Sequence, residues 1–216
     1  MKILITGATG LVGQVLTKQL LKRGHVVNYL TTRPSKVKNQ ENYQGFKWDT
    51  KNQTIDKDCF EGVDCIINLA GASVAKRWTS SHKKAILDSR IDSLKLLYDS
   101  LSDIDHEIKH LISASAIGVY PSSLTKLYEE AETDLSDDFL GHVVQEWEKA
   151  SSKFEKLDIN VAQIRIGVVL AENGGALEQM AKPIKNYVGA VLGNGEQWQS
   201  WIHIKDLASL FCHVMD

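Results

Sequence analysis

The chain has 216 residues, with 25 lysines and arginines against 27 aspartates and glutamates. This length suits one α/β domain of generous size, or one domain with part of a second. The formal net charge of −2 disfavours nucleic acids and membrane surfaces as partners, because both attract strongly basic proteins. Three cysteines without a CxxC pair, and no apolar stretch approaching about 20 residues, predict a cytoplasmic protein with reduced thiols that does not enter a membrane.

Apolar runs and helical periodicities alternate along most of the chain. The predicted strands cover residues 3–5, 25–30, 45–48, 64–70, 110–115 and 161–170. The predicted helices cover residues 11–22, 80–101 and about 138–156, and the least regular stretch is 36–60. Strands that alternate with helices in this way form βαβ units with a parallel sheet. The predicted fold class is therefore α/β, with a Rossmann-type doubly wound parallel sheet.

The pattern changes from about residue 167 onwards. The sequence predicts glycine turns at 173–175 and 192–195 in this part of the chain. It also predicts a helix over 176–188, a short strand over 201–204 and a last helix over 205–215. We interpret residues 1–166 as the Rossmann domain and residues 167–216 as a partial, smaller C-terminal lobe for binding a substrate. We expect this lobe to be incomplete, so that the chain is a truncated form of a longer protein.

A glycine-rich loop, Gly7-Ala8-Thr9-Gly10-Leu11-Val12-Gly13, connects the first predicted strand to the first predicted helix. Gly7 permits a tight turn, Gly10 lets the backbone approach a pyrophosphate, and Gly13 lets the helix pack closely on the strand. The helix N-terminus then directs free N–H groups and a partial positive charge at the anion. The spacing and its context predict a dinucleotide site formed by Gly7, Thr9, Gly10, Leu11, Val12 and Gly13. The alternative is a tight strand–helix turn without a ligand.

The end of the second predicted strand indicates which dinucleotide is bound. NAD-preferring domains carry an acid there that accepts a hydrogen bond from the ribose 2′-hydroxyl, whereas residues 28–36 contain no acid. Arg33 and Lys36 follow the strand, and a guanidinium can bind a 2′-phosphate through two hydrogen bonds. We therefore predict NADP(H), with NAD as the alternative if Arg33 and Lys36 form only a solvated loop. Asp49, after the third predicted strand, is predicted to accept a hydrogen bond from the adenine amino group.

Further motifs resemble those of one enzyme superfamily. They lie at residues 68–72, 76–79, 89–93, 113–120, 146–150, 165–170, 193–198 and 201–206. Together with the glycine loop, this set resembles the extended and atypical short-chain dehydrogenase/reductases. More narrowly, it is similar to the bacterial epimerase-family proteins of that superfamily.

The resemblance carries expectations about the site and its ligands. It implies that Leu69, Ala70 and Gly71 line the adenine and ribose side of the cofactor, and that Ser113 lies beside the nicotinamide. It also implies a small-molecule substrate, with nucleotide sugars as the class to test, and a homodimer. Members of the family usually continue for several dozen residues beyond the point where this chain stops.

One feature of the superfamily is missing from the sequence. Typical members carry Tyr-x-x-x-Lys on the helix after the fifth strand, and the tyrosine transfers a proton while the nicotinamide transfers a hydride. The corresponding positions here are Leu140 and Val144, which cannot transfer a proton. Ser115, Tyr120 and His142 are the candidate replacements.

Two hypotheses follow, and the sequence leaves it open whether the protein is an enzyme. The first is an NADP(H)-dependent epimerase or reductase that moves a hydride to or from a carbonyl or carbinol carbon. The second is a catalytically inactive NADP-binding regulator or scaffold. No set of residues has the spacing of metal ligands, so no metal is expected.

Overall fold

The computed structural model describes residues 1–191 and 193–215. The strands are β1 Lys2–Thr6, β2 Val26–Thr31, β3 Asn39–Gln40, β4 Tyr43–Asp49, β5 Thr54–Ile55, β6 Cys65–Asn68, β7 His110–Ala116, β8 Asn160–Ile166, β9 Val168–Leu170 and β10 Trp201–His203. The α-helices are α1 Leu11–Lys22, α2 Ser80–Ser102, α3 Phe139–Ser152, α4 Gly175–Lys185 and α5 Ile204–Met215. Short 3-10 helices cover Pro34–Lys36, Lys57–Phe60, Ile117–Val119 and Lys153–Leu157.

The main sheet has the strand order β3-β4-β2-β1-β6-β7-β8. Six of these strands, from β4 to β8 along that order, pair in parallel. Helices α1 and α5 pack together, as do α2 and α3, and the central strands are buried on both faces. The strand order reverses between β1 and β6, and ligands of such sheets bind in the crevice at that point. The predicted Rossmann-type α/β fold is confirmed.

Two stretches differ from the predicted elements. The predicted strand over residues 161–170 is two strands, because β8 pairs with β7 whereas β9 pairs with β10 in a separate small sheet. Gly167 lies at the break, where a Cβ would come within 2.5 Å of the Ser200 carbonyl oxygen. Residues 36–60, predicted to be largely irregular, also contain the short strands β3 and β5, which pair antiparallel with β4.

The last helix, α5, packs against α1 on the Rossmann sheet. The Gln19 side-chain amide on α1 donates a hydrogen bond to the Lys205 carbonyl oxygen at 3.2 Å. Five α5 residues belong to the same buried core as β1: Leu207, Ala208, Phe211, Cys212 and Met215. In contrast, α4 has no buried residue. The predicted boundary between the Rossmann domain and the C-terminal lobe, after residue 166, stays a prediction for the segment from β9 to β10. The last helix, α5, packs in the Rossmann core.

None of the helices in the described part of the chain combines the length and the apolar character needed to cross a membrane.

Candidate functional site

The glycine loop forms a compact turn between β1 and α1. Gly7 has a φ of +74°, and its carbonyl oxygen accepts a hydrogen bond from the Gly10 amide at 2.9 Å. A Cβ on Gly7 would lie 2.8 Å from the Leu69 carbonyl oxygen, and one on Gly13 would lie 2.2 Å from the Gly7 carbonyl oxygen. A side chain at either position would therefore collide with the backbone. The close approach of helix and strand that the spacing predicts is present.

The N-terminus of α1 has no side-chain cap, in contrast to the N-termini of α2 and α3. The Thr79 hydroxyl accepts from the His82 amide at the start of α2, and the Asp138 carboxylate accepts from the Gly141 amide at the start of α3. At the start of α1, Gly10 provides no side-chain cap and the first turn contains no acidic residue. The first N–H groups of a helix have no partner within it. At α1 they are therefore available to an anionic ligand.

A cleft of about 450 Å³ opens beside this N-terminus, at the carboxyl ends of the strands. Six residues predicted to bind the cofactor line it: Gly7, Thr9, Gly10, Arg33, Ala70 and Gly71. The glycine loop, the end of β2 and the segment after β6 therefore meet at one site. Leu11, Val12 and Gly13 form the first turn of α1, and Leu69 packs beneath Gly7.

Hydrogen bonds hold the strand ends behind the cleft. The Thr6 hydroxyl donates to the Asn68 side-chain oxygen at 2.7 Å and accepts from the Leu69 and Ala70 amides at 3.1 Å. The Asn68 side-chain nitrogen donates to the Ser113 hydroxyl oxygen at 3.2 Å. These bonds connect β1, β6 and β7. Ser113 is buried within this network, and its contact with a nicotinamide stays a prediction.

Arg33, Lys36 and Asp49 occupy three different settings. Arg33 lines the cleft and is exposed at the start of the Pro34–Lys36 turn. Lys36 lines a second groove next to the cleft. The Asp49 carboxylate accepts hydrogen bonds from the amides of Lys51 and Asn52, at 2.9 and 3.2 Å, and from the Asn52 side chain at 2.8 Å. Asp49 therefore stabilises its own turn, and its hydrogen bond with adenine stays a prediction.

The cleft also contains residues that the sequence interpretation did not select. They are Leu30, Thr31, Thr32, Trp48, Thr50, Ala72, Ser89 and Ser93. Trp48 and Thr50 flank Asp49 in sequence. The sequence therefore indicated the correct segment, but the residue predicted there, Asp49, is not one that lines the cleft. Ser89 and Ser93 are one helical turn apart on α2, a spacing that places both on one face and could have indicated them.

The candidate proton-transfer residues on β7 and just after it belong to a separate polar network. The Ser115 hydroxyl donates to the Glu148 carboxylate at 2.5 Å. Arg165 on β8 donates to both oxygens of that carboxylate at 2.9 Å, and to the Tyr120 hydroxyl at 2.7 Å. The Tyr120 hydroxyl in turn donates to the Glu129 carbonyl oxygen at 3.0 Å. The structure therefore brings Ser115 and Tyr120 together through Glu148 and Arg165, which the sequence interpretation assigned no role.

Charge in this network is balanced by the pairing of Glu148 and Arg165. Burial alone would raise the pKa of the Glu148 carboxyl, but hydrogen bonds from Arg165 and Ser115 outweigh it and hold that pKa below its ordinary value. The hydrogen bond to Glu148 raises the pKa of the Arg165 guanidinium. At neutral pH the pair is therefore fully ionised, and the carboxylate is a weak base.

His142 lies apart from this network. It is exposed on α3, next to the buried Gly141. Leu140 and Val144, which are predicted to correspond to the usual Tyr/Lys pair, are both on α3, and the Leu140 Cβ is 3.6 Å from where a Cβ on Gly118 would lie. Among the residues that the structure describes, no group of histidine, cysteine, aspartate or glutamate is arranged to hold a metal ion.

The sheet order and the glycine loop define a Rossmann-type protein. Residues 3–216 match the model of the NAD dependent epimerase/dehydratase family. The chain belongs to this family, as the resemblance implied.

Relatives and solved structures agree with this assignment. An epimerase family protein of Staphylococcus epidermidis is 40% identical over 209 residues, which are 95% of this chain and 68% of the relative. The structure of human epimerase family protein SDR39U1 (isoform 2) with NADPH is 28% identical, with a TM-score of 0.81 over 100% of this chain and 70% of that one. A nucleoside-diphosphate sugar epimerase from Corynebacterium glutamicum is 31% identical, with a TM-score of 0.80 over 98% of this chain and 43% of that one.

Proposed function

We propose that this protein binds NADP(H) in the cleft and passes a hydride between the nicotinamide and a carbonyl or carbinol carbon of a small-molecule substrate. The single observation that carries the proposal is the N-terminus of α1, which has no cap and no acid in its first turn and opens into the cleft. The Leu11, Val12 and Gly13 amides would donate to the diphosphate, and the residues from Leu69 to Gly71 would contact the adenosine side.

The preference for NADP over NAD rests on charge in the cleft. Its lining includes Arg33 and no aspartate or glutamate among the described residues. A 2′-phosphate would therefore meet a cation, whereas a 2′-hydroxyl would find no carboxylate to accept its hydrogen bond. The human relative of known structure contains NADPH, which agrees with this choice.

Hydride transfer also requires a group that moves a proton, and we assign this role to Tyr120. A bound nicotinamide supplies the hydride. Arg165 donates to the Tyr120 oxygen at 2.7 Å, and its guanidinium carbon lies 5.2 Å from the centre of the tyrosine ring. This hydrogen bond fixes the position of the Tyr120 hydroxyl. Arg165 would thus position the tyrosine from a strand, whereas the lysine of the usual pair lies on a helix.

A second function, cofactor binding without turnover, is favoured by a specific observation. The protons of both candidate hydroxyls are already donated within the protein, from Ser115 to Glu148 and from Tyr120 to the Glu129 carbonyl. In addition, Leu140 and Val144 cannot transfer protons. A protein of this kind would respond to NADPH as a regulator or scaffold.

One experiment tests the cofactor assignment and then separates the two functions. NADPH and NADH are titrated by fluorescence into the wild type, Arg33→Ala and the exposed control Lys51→Ala. We expect Arg33→Ala to weaken NADPH binding about tenfold or more and to leave NADH binding unchanged, because charged hydrogen bonds contribute about 1.5–3 kcal/mol. Equal affinity for both cofactors, or an unchanged preference in Arg33→Ala, would contradict the assignment.

The wild type and Tyr120→Phe are then assayed for NADPH oxidation with carbonyl compounds and nucleotide sugars. We expect turnover that Tyr120→Phe lowers at least about hundredfold, because removing a general acid typically costs about 10²–10⁴-fold. Tight NADPH binding with complete inertness over the panel would favour the regulator.

A further inference from the structure

A second groove, of about 490 Å³, lies next to the cofactor cleft. Thr9 lines both of them, so the glycine loop separates the two. The groove is lined by Thr17 and Leu21 of α1 and by Tyr29 of β2. It therefore lies between α1 and the sheet and borders the cleft at the glycine loop.

The groove is strongly cationic. Lys18 on α1 and Lys36 and Lys38 after β2 line it, and its described lining contains no aspartate or glutamate. Within the part of the chain that the structure describes, none of these three lysines takes part in an ion pair. Three like charges around one concavity repel one another and raise the local concentration of anions.

The wall that carries two of the lysines is held in place by a buried tyrosine. The Tyr29 hydroxyl donates to the Lys36 carbonyl oxygen and accepts from the Lys38 amide, both at 2.7 Å. The Tyr29 ring is accommodated by Gly45, since a Cβ there would lie 2.6 Å from the ring. Because these bonds fix the backbone on both sides of residue 37, the groove is formed before any ligand arrives.

The interior of the groove contains one buried polar side chain and an aromatic surface. Thr17, whose residue is 7% exposed, lines the groove, and its hydroxyl is buried without a hydrogen-bond partner among the described residues. Tyr43 stacks on Tyr29 with ring centres 4.4 Å apart, and with Leu21 it forms an apolar wall. A buried polar group without a partner costs free energy that a ligand can recover.

We propose that this groove is a second ligand site, which takes a phosphate monoester attached to a flat ring. The three lysines would bind the phosphate, Thr17 would donate or accept one hydrogen bond, and Tyr43 would contact the ring. The volume is within the range of small-molecule sites. The groove borders the cofactor cleft at Thr9 but its remaining lining is different, and on this basis the protein binds this ligand and NADPH at the same time.

Phenyl phosphate, which joins a phosphate to a ring, is the probe. It is titrated into ¹⁵N-labelled protein, with and without saturating NADPH, while the backbone amide shifts are followed by NMR. We expect saturable shifts for the residues around Thr17, Lys38 and Tyr43, with an affinity that NADPH leaves unchanged. Inorganic phosphate, which has no ring, is expected to bind more weakly at the same residues.

Two double variants provide the comparison. We expect the double variant Lys18→Gln/Lys38→Gln to weaken the binding of phenyl phosphate at least about tenfold. The double variant Lys22→Gln/Lys51→Gln removes the same charge from outside the groove and should have little effect on this affinity. Shifts that NADPH abolishes would mean that the groove belongs to the cofactor, and equal losses in both variants would mean unspecific attraction. Either result overturns the proposal. The titration without NADPH tests the second ligand site even if the cofactor assignment is wrong.

Discussion

Among single residues, Glu148 connects three elements of the fold. Its carboxylate accepts hydrogen bonds from Ser115 on β7 and from Arg165 on β8, while Glu148 itself is on α3. The side chains of Glu148 and Arg165 are 14% and 21% exposed, so most of the pair is removed from water. We expect Glu148→Gln to lower the free energy of unfolding by about 2–4 kcal/mol near pH 7, because it leaves a mostly buried guanidinium without its counter-charge.

This loss should depend on pH in a defined direction. The pKa of Glu148 is below its ordinary value, since hydrogen bonds from Arg165 and Ser115 outweigh the opposing effect of burial. A carboxyl of this kind stabilises the folded state above its unfolded pKa of about 4.3, and the contribution disappears as the pH falls through the folded value. Urea unfolding at about pH 7, pH 5 and pH 3 should show the difference from the wild type shrinking only at the lowest pH.

A matched control is available on the same helix. Glu146 forms an exposed pair with Lys149 at 3.5 Å, and such pairs contribute less than about 1 kcal/mol. Glu146→Gln should therefore change stability little at any pH. If both variants lose the same amount, the Glu148 pair does not have the stabilising role that its geometry indicates.

Residues with a local signal were predictable from the sequence, and residues whose role depends on tertiary contacts were not. Gly7, Gly10 and Gly13 lie within one short loop, so their spacing contains the whole signal. Glu148 and Arg165 lie on different elements and meet only because α3 and β8 both pack on β7. Nothing in the sequence around either residue reports the other one.

At the scale of elements, apolar periodicity located the strands without identifying their partners. Residues 161–170 are apolar enough to predict one strand, but β8 and β9 pair with different neighbours. The change occurs at Gly167, where the Val168 amide donates to the Ser200 carbonyl oxygen at 2.8 Å. The same limit applies to β3 and β5, since two-residue strands are too short to have a periodicity.

The break between β8 and β9 depends on the absence of a side chain. A Cβ on Gly167 would lie 2.5 Å from the Ser200 carbonyl oxygen, so one of the two segments must move. We expect Gly167→Ala to lower the free energy of unfolding by about 1–3 kcal/mol, the usual cost of overpacking. Urea denaturation of the variant measures this loss.

Gly118 provides the control for that substitution. A Cβ there would meet the Leu140 Cβ at 3.6 Å, an ordinary van der Waals distance. Gly118→Ala should leave stability unchanged or raise it slightly, because alanine restricts the unfolded chain. If Gly167→Ala and Gly118→Ala lose similar free energies of unfolding, the close approach to Ser200 is not the reason why residue 167 requires glycine.

At the scale of the whole molecule, elements that are far apart in the sequence pack against each other. The sequence interpretation placed residues 167–216 in a second lobe because the pattern changes at residue 167. However, α5 returns to the Rossmann sheet and covers α1, the helix whose N-terminus faces the cleft. A change of pattern along a sequence cannot show that a later helix comes back to an earlier layer, because that information lies in long-range contacts.

If α5 is part of this core, truncating one of its buried side chains should destabilise the whole molecule. Phe211 is 0% exposed and Val214, on the same helix, is 37% exposed. We expect Phe211→Ala to lower the free energy of unfolding by about 3–5 kcal/mol in a single urea transition, through lost burial and the cavity left behind. Val214→Ala should cost less than about 1 kcal/mol. If Phe211→Ala costs as little as Val214→Ala, or if a separate early transition appears, α5 unfolds independently. It would then not belong to the core on which α1 packs.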